Sequence, residues 1–392
     1  MIEIPPHLSC FVFWLSLVVG LVFGSFLNVV GHRLLAESAR LEAELLAAEE
    51  KAKAGESEAP PTGASEKQPG WLQSIWECVV DLVKMVSYPP SHCPKCETPI
   101  KPYDNIPVIS YLILGGKCRH CKVPISIQYP LFELATGLLF AFTVQTFGVS
   151  WQTLFLLFLI CNLVVITITD LRESYIFQIN SLSLIPVGLL YNILGLSHGT
   201  SSPVPGSGID IGGFTIDQAV ISAVLGIFLA FIFFEGMILL SESVFGTEGF
   251  GHGDTHLMMG VGAYLGWELC AVSLALGFLL QSLLAIPMLV IQWIQNKNYP
   301  SLISGGASCL FGILPLFILN VPQDSPLFPY TSPITLGCIV ATLIALFFFM
   351  RQIRNNQTYT YVPLGPALVL GTLISLFWGQ PILKAIGSVY GH

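Results

Sequence analysis

The chain has 392 residues, of which 53% are hydrophobic and only 10% charged, and its mean hydropathy is +0.73. No soluble domain of this size needs so much apolar surface, so the composition describes an all-α polytopic membrane protein. The formal net charge of −8 comes largely from one Ala/Glu-rich segment, 37–66, and no basic face for nucleic acid is present.

In chain order, apolar runs predict spans near 9–30, 131–148, 152–169, 180–196, 217–240, 256–266, 269–293, 303–320, 333–350 and 361–378, or about 8–10 transmembrane helices. The stretch Leu8 to Val30 lacks a positive n-region and a small-residue cleavage site, so it reads as a retained first span. The run at 256–266 is short and Gly-rich, which suits a half-span or re-entrant piece packed against protein. Three units are expected: the first span at 1–30, a large loop at 31–130, and a multi-span domain at 131–392. Within the loop, 36–54 carries an Ala/Glu/Leu/Lys helix pattern, 55–70 reads as a linker, and 91–130 holds cysteine pairs. Between them, 71–88 repeats apolar residues at helical spacing. It fits a helix on the membrane surface or one packed within the loop.

Placing the N-terminus outside puts 31–130, 170–179, 241–255, 294–302 and 351–360 in the cytoplasm. Every Lys and Arg except Lys384 then lies on the cytoplasmic side.

Ten cysteines divide into two groups. Cys10, Cys78, Cys161, Cys270, Cys309 and Cys338 lie in apolar or mildly amphipathic stretches and read as buried structural residues. Cys93-Pro-Lys-Cys96 and Cys118-Arg-His-Cys121 have the spacing C-x2-C-x21-C-x2-C. Two such knuckles close a tetrahedron around one zinc ion. Disulfides are disfavoured in a reducing cytoplasm, and a redox site needs only one pair. With all four positions filled by protein, this zinc is expected to be structural.

Two carboxylates stand at the edges of apolar runs. Asp170 ends the run Thr153 to Thr169, and Asp254 closes Gly249-Phe250-Gly251-His252-Gly253-Asp254. Ionisable groups at membrane depth are costly and mark functional sites, and two brought together can share a proton and activate water. Gly251 and Gly253 let the backbone approach closely and keep side chains off Asp254. The plainer readings are an interfacial cap at Asp170 and a capping Asp in a Gly-rich turn at 254. An extended segment would also put His252, Asp254 and His256 on one face, as a metal site requires.

Several stretches together resemble the type IV prepilin peptidases, membrane aspartyl enzymes of the GxGD type. Gly24-Ser25-Phe26-Leu27-Asn28-Val29-Val30 with Arg33 resembles the family's N-terminal signature, and Cys93 to Cys121, with Asn105-Ile106-Pro107-Val108-Ile109-Ser110 inside, its zinc-bearing loop. Tyr129-Pro130-Leu131-Phe132-Glu133-Leu134 with Thr136-Gly137 resembles the start of its second span. Asp170-Leu171-Arg172 resembles the first catalytic Asp, and Gly251-His252-Gly253-Asp254 the motif carrying the second. Gly262-Ala263-Tyr264-Leu265-Gly266-Trp267 and Pro363-Leu364-Gly365-Pro366 also match. The chain departs from the pattern at Phe177 and Gln178, where the family has Pro then Asp or Asn, and at His256, where it often has Lys. Residues 36–90 form an insertion, and 300–350 resembles an extra pair of spans.

The resemblance implies a peptidase of the bacterial cytoplasmic (inner) membrane with Asp170 and Asp254 as its catalytic pair. Its substrates would be type IV prepilins and pseudopilins, whose short basic leader is cut on the cytoplasmic side after a Gly. The family also implies N-methylation of the new terminus with S-adenosylmethionine, though no soluble methyltransferase fold is legible. Membrane lipid is the other expected partner, and nucleic acid is not expected. Two alternatives stay open. Another GxGD-type intramembrane protease would not need the cysteine loop, and a transporter with paired acids would place them mid-span.

Overall fold

The computed structural model describes residues 6–53, 91–197, 209–211, 214–245, 250–300, 302–307 and 363–390, with scattered positions between 310 and 348. The apolar runs emerge as helices, because in hydrocarbon each backbone N–H and C=O must be satisfied within its own segment. They are α1 (Pro6–Lys53), a short α2 (Ile109–Ile113), α3 (Gln128–Phe147), α4 (Trp151–Glu173), α5 (Gln178–Ile193), α6 (Gln218–Phe245), α7 (His252–Gln295) and α8 (Gly365–Tyr390). A small antiparallel hairpin, β1 (Ile209–Ile211) and β2 (Phe214–Ile216), joins α5 to α6 with Ile209 opposite Ile216.

Six helices among the described residues are long and apolar enough to cross a membrane. The count is lower than ten for three reasons. Helix α5 has only 16 residues, roughly 24 Å at 1.5 Å per residue against a hydrocarbon core of about 30 Å. The runs 256–266 and 269–293 are joined in α7, which bends at Gly266 (φ 77°, ψ 175°), a conformation that glycine adopts without steric cost. The runs 303–320 and 333–350 lie largely outside the described residues, as do the linker at 55–70 and the amphipathic stretch at 71–88. The helix expected at 36–54 is present, but as a continuation of the first span. No proline interrupts the sequence after Pro6, and α1 runs unbroken for 48 residues, about 72 Å in length.

Helix α4 stands between two packed clusters. Leu156, Leu159, Leu163 and Ile166 join Leu184, Tyr191, Phe234, Leu257, Met258, Tyr264 and Leu368 on one side. Ile160, Val164, Val165 and Ile168 join Leu27, Leu34 and Phe140 on the other. Both sets recur at the i, i+3, i+4 spacing that puts residues on one helix face. The start of α7 is the most enclosed stretch. Leu257, Met258, Val261, Ala263 and Tyr264 are fully buried among α5, α6 and α8, which agrees with a piece packed against protein. Lipid tails are as apolar as these side chains, so close packing and hydrogen bonds hold such helices together. One polar tie is Asn192 in α5, whose Nδ2 donates to the Ala263 carbonyl of α7 at 2.8 Å.

Candidate active site

Asp170 lies one turn before the end of α4. Ser174 ends that helix in the left-handed conformation, and its N–H returns to the Asp170 carbonyl at 2.9 Å. The Asp170 side chain is 3% exposed. Its Oδ2 accepts the N–H of Gly365, the first residue of α8, at 2.9 Å. The opening N–H groups of a helix have no partner within it, so this carboxylate completes the start of α8. The approach requires glycine, since a Cβ at 365 would stand 2.6 Å from Oδ2.

Asp254 lies in the first turn of α7, with Gly251 as the N-cap and its own N–H donating to the Gly251 carbonyl at 3.1 Å. It is 5% exposed and close enough to Asp170 for the two charges to interact. The two glycines of the motif do different things. A Cβ at 253 would come within 2.7 Å of Ile176 Cβ, so Gly253 lets the start of α7 lie against the chain leaving α4. At 251 a Cβ would meet, among the described residues, only the Gly253 nitrogen, at 3.9 Å, so that side is open among them. Gly249 lies outside the described residues.

Sequence reasoning missed the partner of His252. Its Nδ1 lies 3.3 Å from Oε1 of Glu235, a carboxylate in the middle of apolar α6. An acid inside the longest apolar stretch of α6 was the signal that could have found it. The metal face imagined for His252, Asp254 and His256 depends on an extended backbone. The segment is helical, so Asp254 turns away from the two histidines. Among the described residues the one cluster with metal-ligand geometry is that of Cys93, Cys96, Cys118 and Cys121.

Those four sulfurs lie within 4.8 Å of one another. Each knuckle is built the same way. Cys93 N–H donates to the Thr98 carbonyl and Glu97 N–H to the Cys93 carbonyl, at 3.1 and 2.8 Å; Cys118 N–H and Lys122 N–H do the same with Val123 and Cys118, at 2.9 and 3.1 Å. Glu97 and Lys122 both take positive φ, and the bridges His92–Pro99 and Lys117–Pro124 close each turn. Hydrogen bonds from Thr98 pull the Cys96 thiol down to about 6, and backbone N–H groups lower Cys118. Between the knuckles, Asp104 receives Arg119 Nε at 2.8 Å in a two-pronged pair, which holds the Asp104 carboxyl below its ordinary range. The cluster can hold a metal ion of the zinc type.

The bacterial peptidase A24 N-terminal domain matches residues 18–147, and the type IV leader peptidase family matches 156–289. The prepilin leader peptidase/N-methyltransferase of Pseudomonas aeruginosa is 32% identical over 369 residues, covering 94% of this chain and 91% of that protein. The protein of the same name from Aeromonas hydrophila is 32% identical, over 76% of this chain and 89% of its own. That of Neisseria gonorrhoeae is 34% identical, over 72% and 84% respectively. No solved structure matches. The six apolar helices and these relatives describe a multi-pass protein of the bacterial inner membrane. The chain belongs to the type IV leader peptidase family.

Proposed function

We propose that this protein cleaves the basic leader of type IV prepilins and pseudopilins at the cytoplasmic face of the membrane and then N-methylates the new terminus. The observation that carries the proposal is the meeting of Asp170 and Asp254. They come from helix ends far apart in sequence, both are buried, and Asp170 is held by the start of α8. One carboxylate, ionised, takes a proton from water as the oxygen attacks the scissile carbonyl. The other, protonated, donates to the carbonyl oxygen; as the carbon–nitrogen bond breaks, the first carboxyl passes the water-derived proton to the leaving amine and the second takes its proton back from the collapsing diol. The Gly365 N–H fixes the orientation of Asp170. The open side of Gly251 leaves room for an extended peptide beside Asp254.

Residues 91–130 form the cytoplasmic metal loop in this reading, and 131–392 carry the peptidase site. Cys93, Cys96, Cys118 and Cys121 hold a structural zinc with no open coordination position. S-adenosylmethionine supplies an electrophilic methyl carbon for the second activity. The positive-inside rule keeps a basic leader on the side of the loop, so enzyme and substrate meet side by side in the bilayer.

The test is direct. Purified protein in lipid nanodiscs is given a prepilin with a Gly-ending basic leader plus S-adenosylmethionine, and the products are weighed by mass spectrometry. The expected product lacks the leader and is one methyl group heavier than the cut peptide. An intact prepilin after long incubation would refute the peptidase reading.

A further inference from the structure

The short helix α2 has its polarity reversed. Its one buried residue is a serine: Ser110 is 6% exposed, and its Oγ accepts the Ile106 N–H at 2.9 Å and donates to the Tyr103 carbonyl at 3.0 Å. Ile109, Leu112 and Ile113, at i, i+3 and i+4, share one face and all point outward, with Leu112 71% and Ile113 75% exposed. Ile106, just before the helix, is exposed as well. Single exposed apolar side chains are ordinary on a protein surface. Four along one stripe, with a hydrogen-bonded serine behind them, describe a surface that meets something apolar.

The depth of the stripe says what it meets. Helix α3 has 20 residues and is about 30 Å long, the thickness of the hydrocarbon core. Glu133 lies five residues after the first residue of α3, about 8 Å along its axis. Its Oε2 accepts the Val108 N–H at 2.7 Å. Val108 takes φ 60° and ψ −48°, which a β-branched residue adopts only when its surroundings impose it. This bond draws the start of α2 down beside the first turns of a membrane-spanning helix. On either side of Glu133, Leu131 and Leu134 are exposed on α3, so the stripe stands near the level where α3 itself faces lipid. Lys101 precedes the stripe and Lys117 follows it, and both are exposed. Such long side chains lay their stems over apolar surface and carry the charge to headgroup phosphates.

We propose that α2 anchors the cysteine loop to the membrane surface, with Ile106, Ile109, Leu112 and Ile113 in the boundary between headgroups and acyl chains and Lys101 and Lys117 on anionic headgroups. An amphipathic segment binds there through its apolar face and its basic edge together. A partner protein could also cover an apolar stripe, but lipid already lies against α3 at this depth, and the bond from Glu133 holds the stripe there. The anchor fixes where the two cysteine knuckles sit over the bilayer, and it requires no substrate.

The experiment uses the full wild-type chain in vesicles of phosphatidylethanolamine and phosphatidylglycerol in equal parts. The vesicles carry a phospholipid with a diazirine near the glycerol end of its acyl chain. After illumination the labelled peptides are mapped by mass spectrometry. Label on 106–113 is expected at about fivefold or more above that on 91–99. Label confined to the transmembrane helices would overturn the proposal. Loss of the 106–113 label on adding excess prepilin would assign the stripe to a protein partner and overturn it too. The double variant Leu112→Asn, Ile113→Asn changes only exposed positions. With its thermal unfolding midpoint unchanged, it should lose most of the label on 106–111, and unchanged label would overturn the proposal. If that variant does not fold, the wild-type map decides.

Discussion

Two parts of this molecule hold their polar groups in different ways. In the loop from 91 to 127 only Cys93 and Ser110 are buried, and the chain is shaped by turns, an exposed ion pair and four converging sulfurs. Around Asp170 and Asp254 the neighbours are packed helices, with Ile166, Ile168, Leu257 and Met258 fully buried. A loop with so little core needs a staple, which a metal in the cysteine cluster would provide. A helical scaffold can instead shelter a pair of acids and aim them. In the proposed reading, chemistry on the peptide bond belongs to the second region, and the first supports it.

The largest test of that division is at the carboxylates. Asp170→Asn or Asp254→Asn should each lower prepilin cleavage by about 10³-fold or more, since an amide supplies neither base nor acid. The readout is a time course of product in membranes where the variant is shown to be inserted. Substantial cleavage by either would move the chemistry elsewhere.

Smaller, but still in the buried region, is the effect of Gly365→Ala. The added methyl would sit 2.6 Å from Asp170 Oδ2 unless something moves. Displacement of a catalytic group by about 1 Å costs on the order of 10²-fold. We expect a loss of that size in kcat with an unchanged amount of folded protein. Full activity would show that Asp170 need not be held by α8.

In the loop, Cys96→Ser should reduce zinc from about one ion per chain and lower the unfolding midpoint of the loop. Cleavage should fall far less than in the aspartate variants. Thiolates are the ligands, so acid should release the metal. Release on lowering the pH is measured by metal analysis after dialysis. Metal-free protein at neutral pH would break the comparison at its base.

The smallest effect is expected at Asp104→Asn. The Arg119 side of the pair is open to solvent, and such surface pairs contribute little. The sign is nonetheless fixed. A carboxyl held below its ordinary range stabilises the fold above that range, and the contribution fades as pH falls through the lowered value. The variant should therefore unfold slightly earlier than wild type at neutral pH and match it in strong acid, as read by thermal scans.

Much of this was legible in the chain. The C-x2-C pairs announce their convergence because each knuckle is local, and the convergence of two knuckles is the common outcome of that spacing. Asp170 and Asp254 stand out because acids at the edges of apolar runs are expensive. What sequence reasoning missed depends on contacts over long separations. Gly365 meets Asp170 across 195 positions, and nothing near either residue encodes that distance. Glu235 drew no notice within the apolar run of α6, and α6 brings it to His252. The break expected after Val30 is missing because local helix propensity carries on where the apolar pattern stops. The alternative of a metal face at His252, Asp254 and His256 needed an extended segment, and these residues open a helix instead.

Helix α4 is gripped on two faces, by different sets of neighbours. Helices α1 and α6 instead turn Phe11, Trp14, Val18, Val22, Leu225, Phe228 and Ile232 outward. When bilayer thickness changes, lipid-facing helices answer by tilting, at a small cost per ångström. A helix clamped from both sides does not follow them. Asp170 therefore keeps its depth and its distance from Asp254 in thin and thick membranes alike, and the outer helices absorb the mismatch.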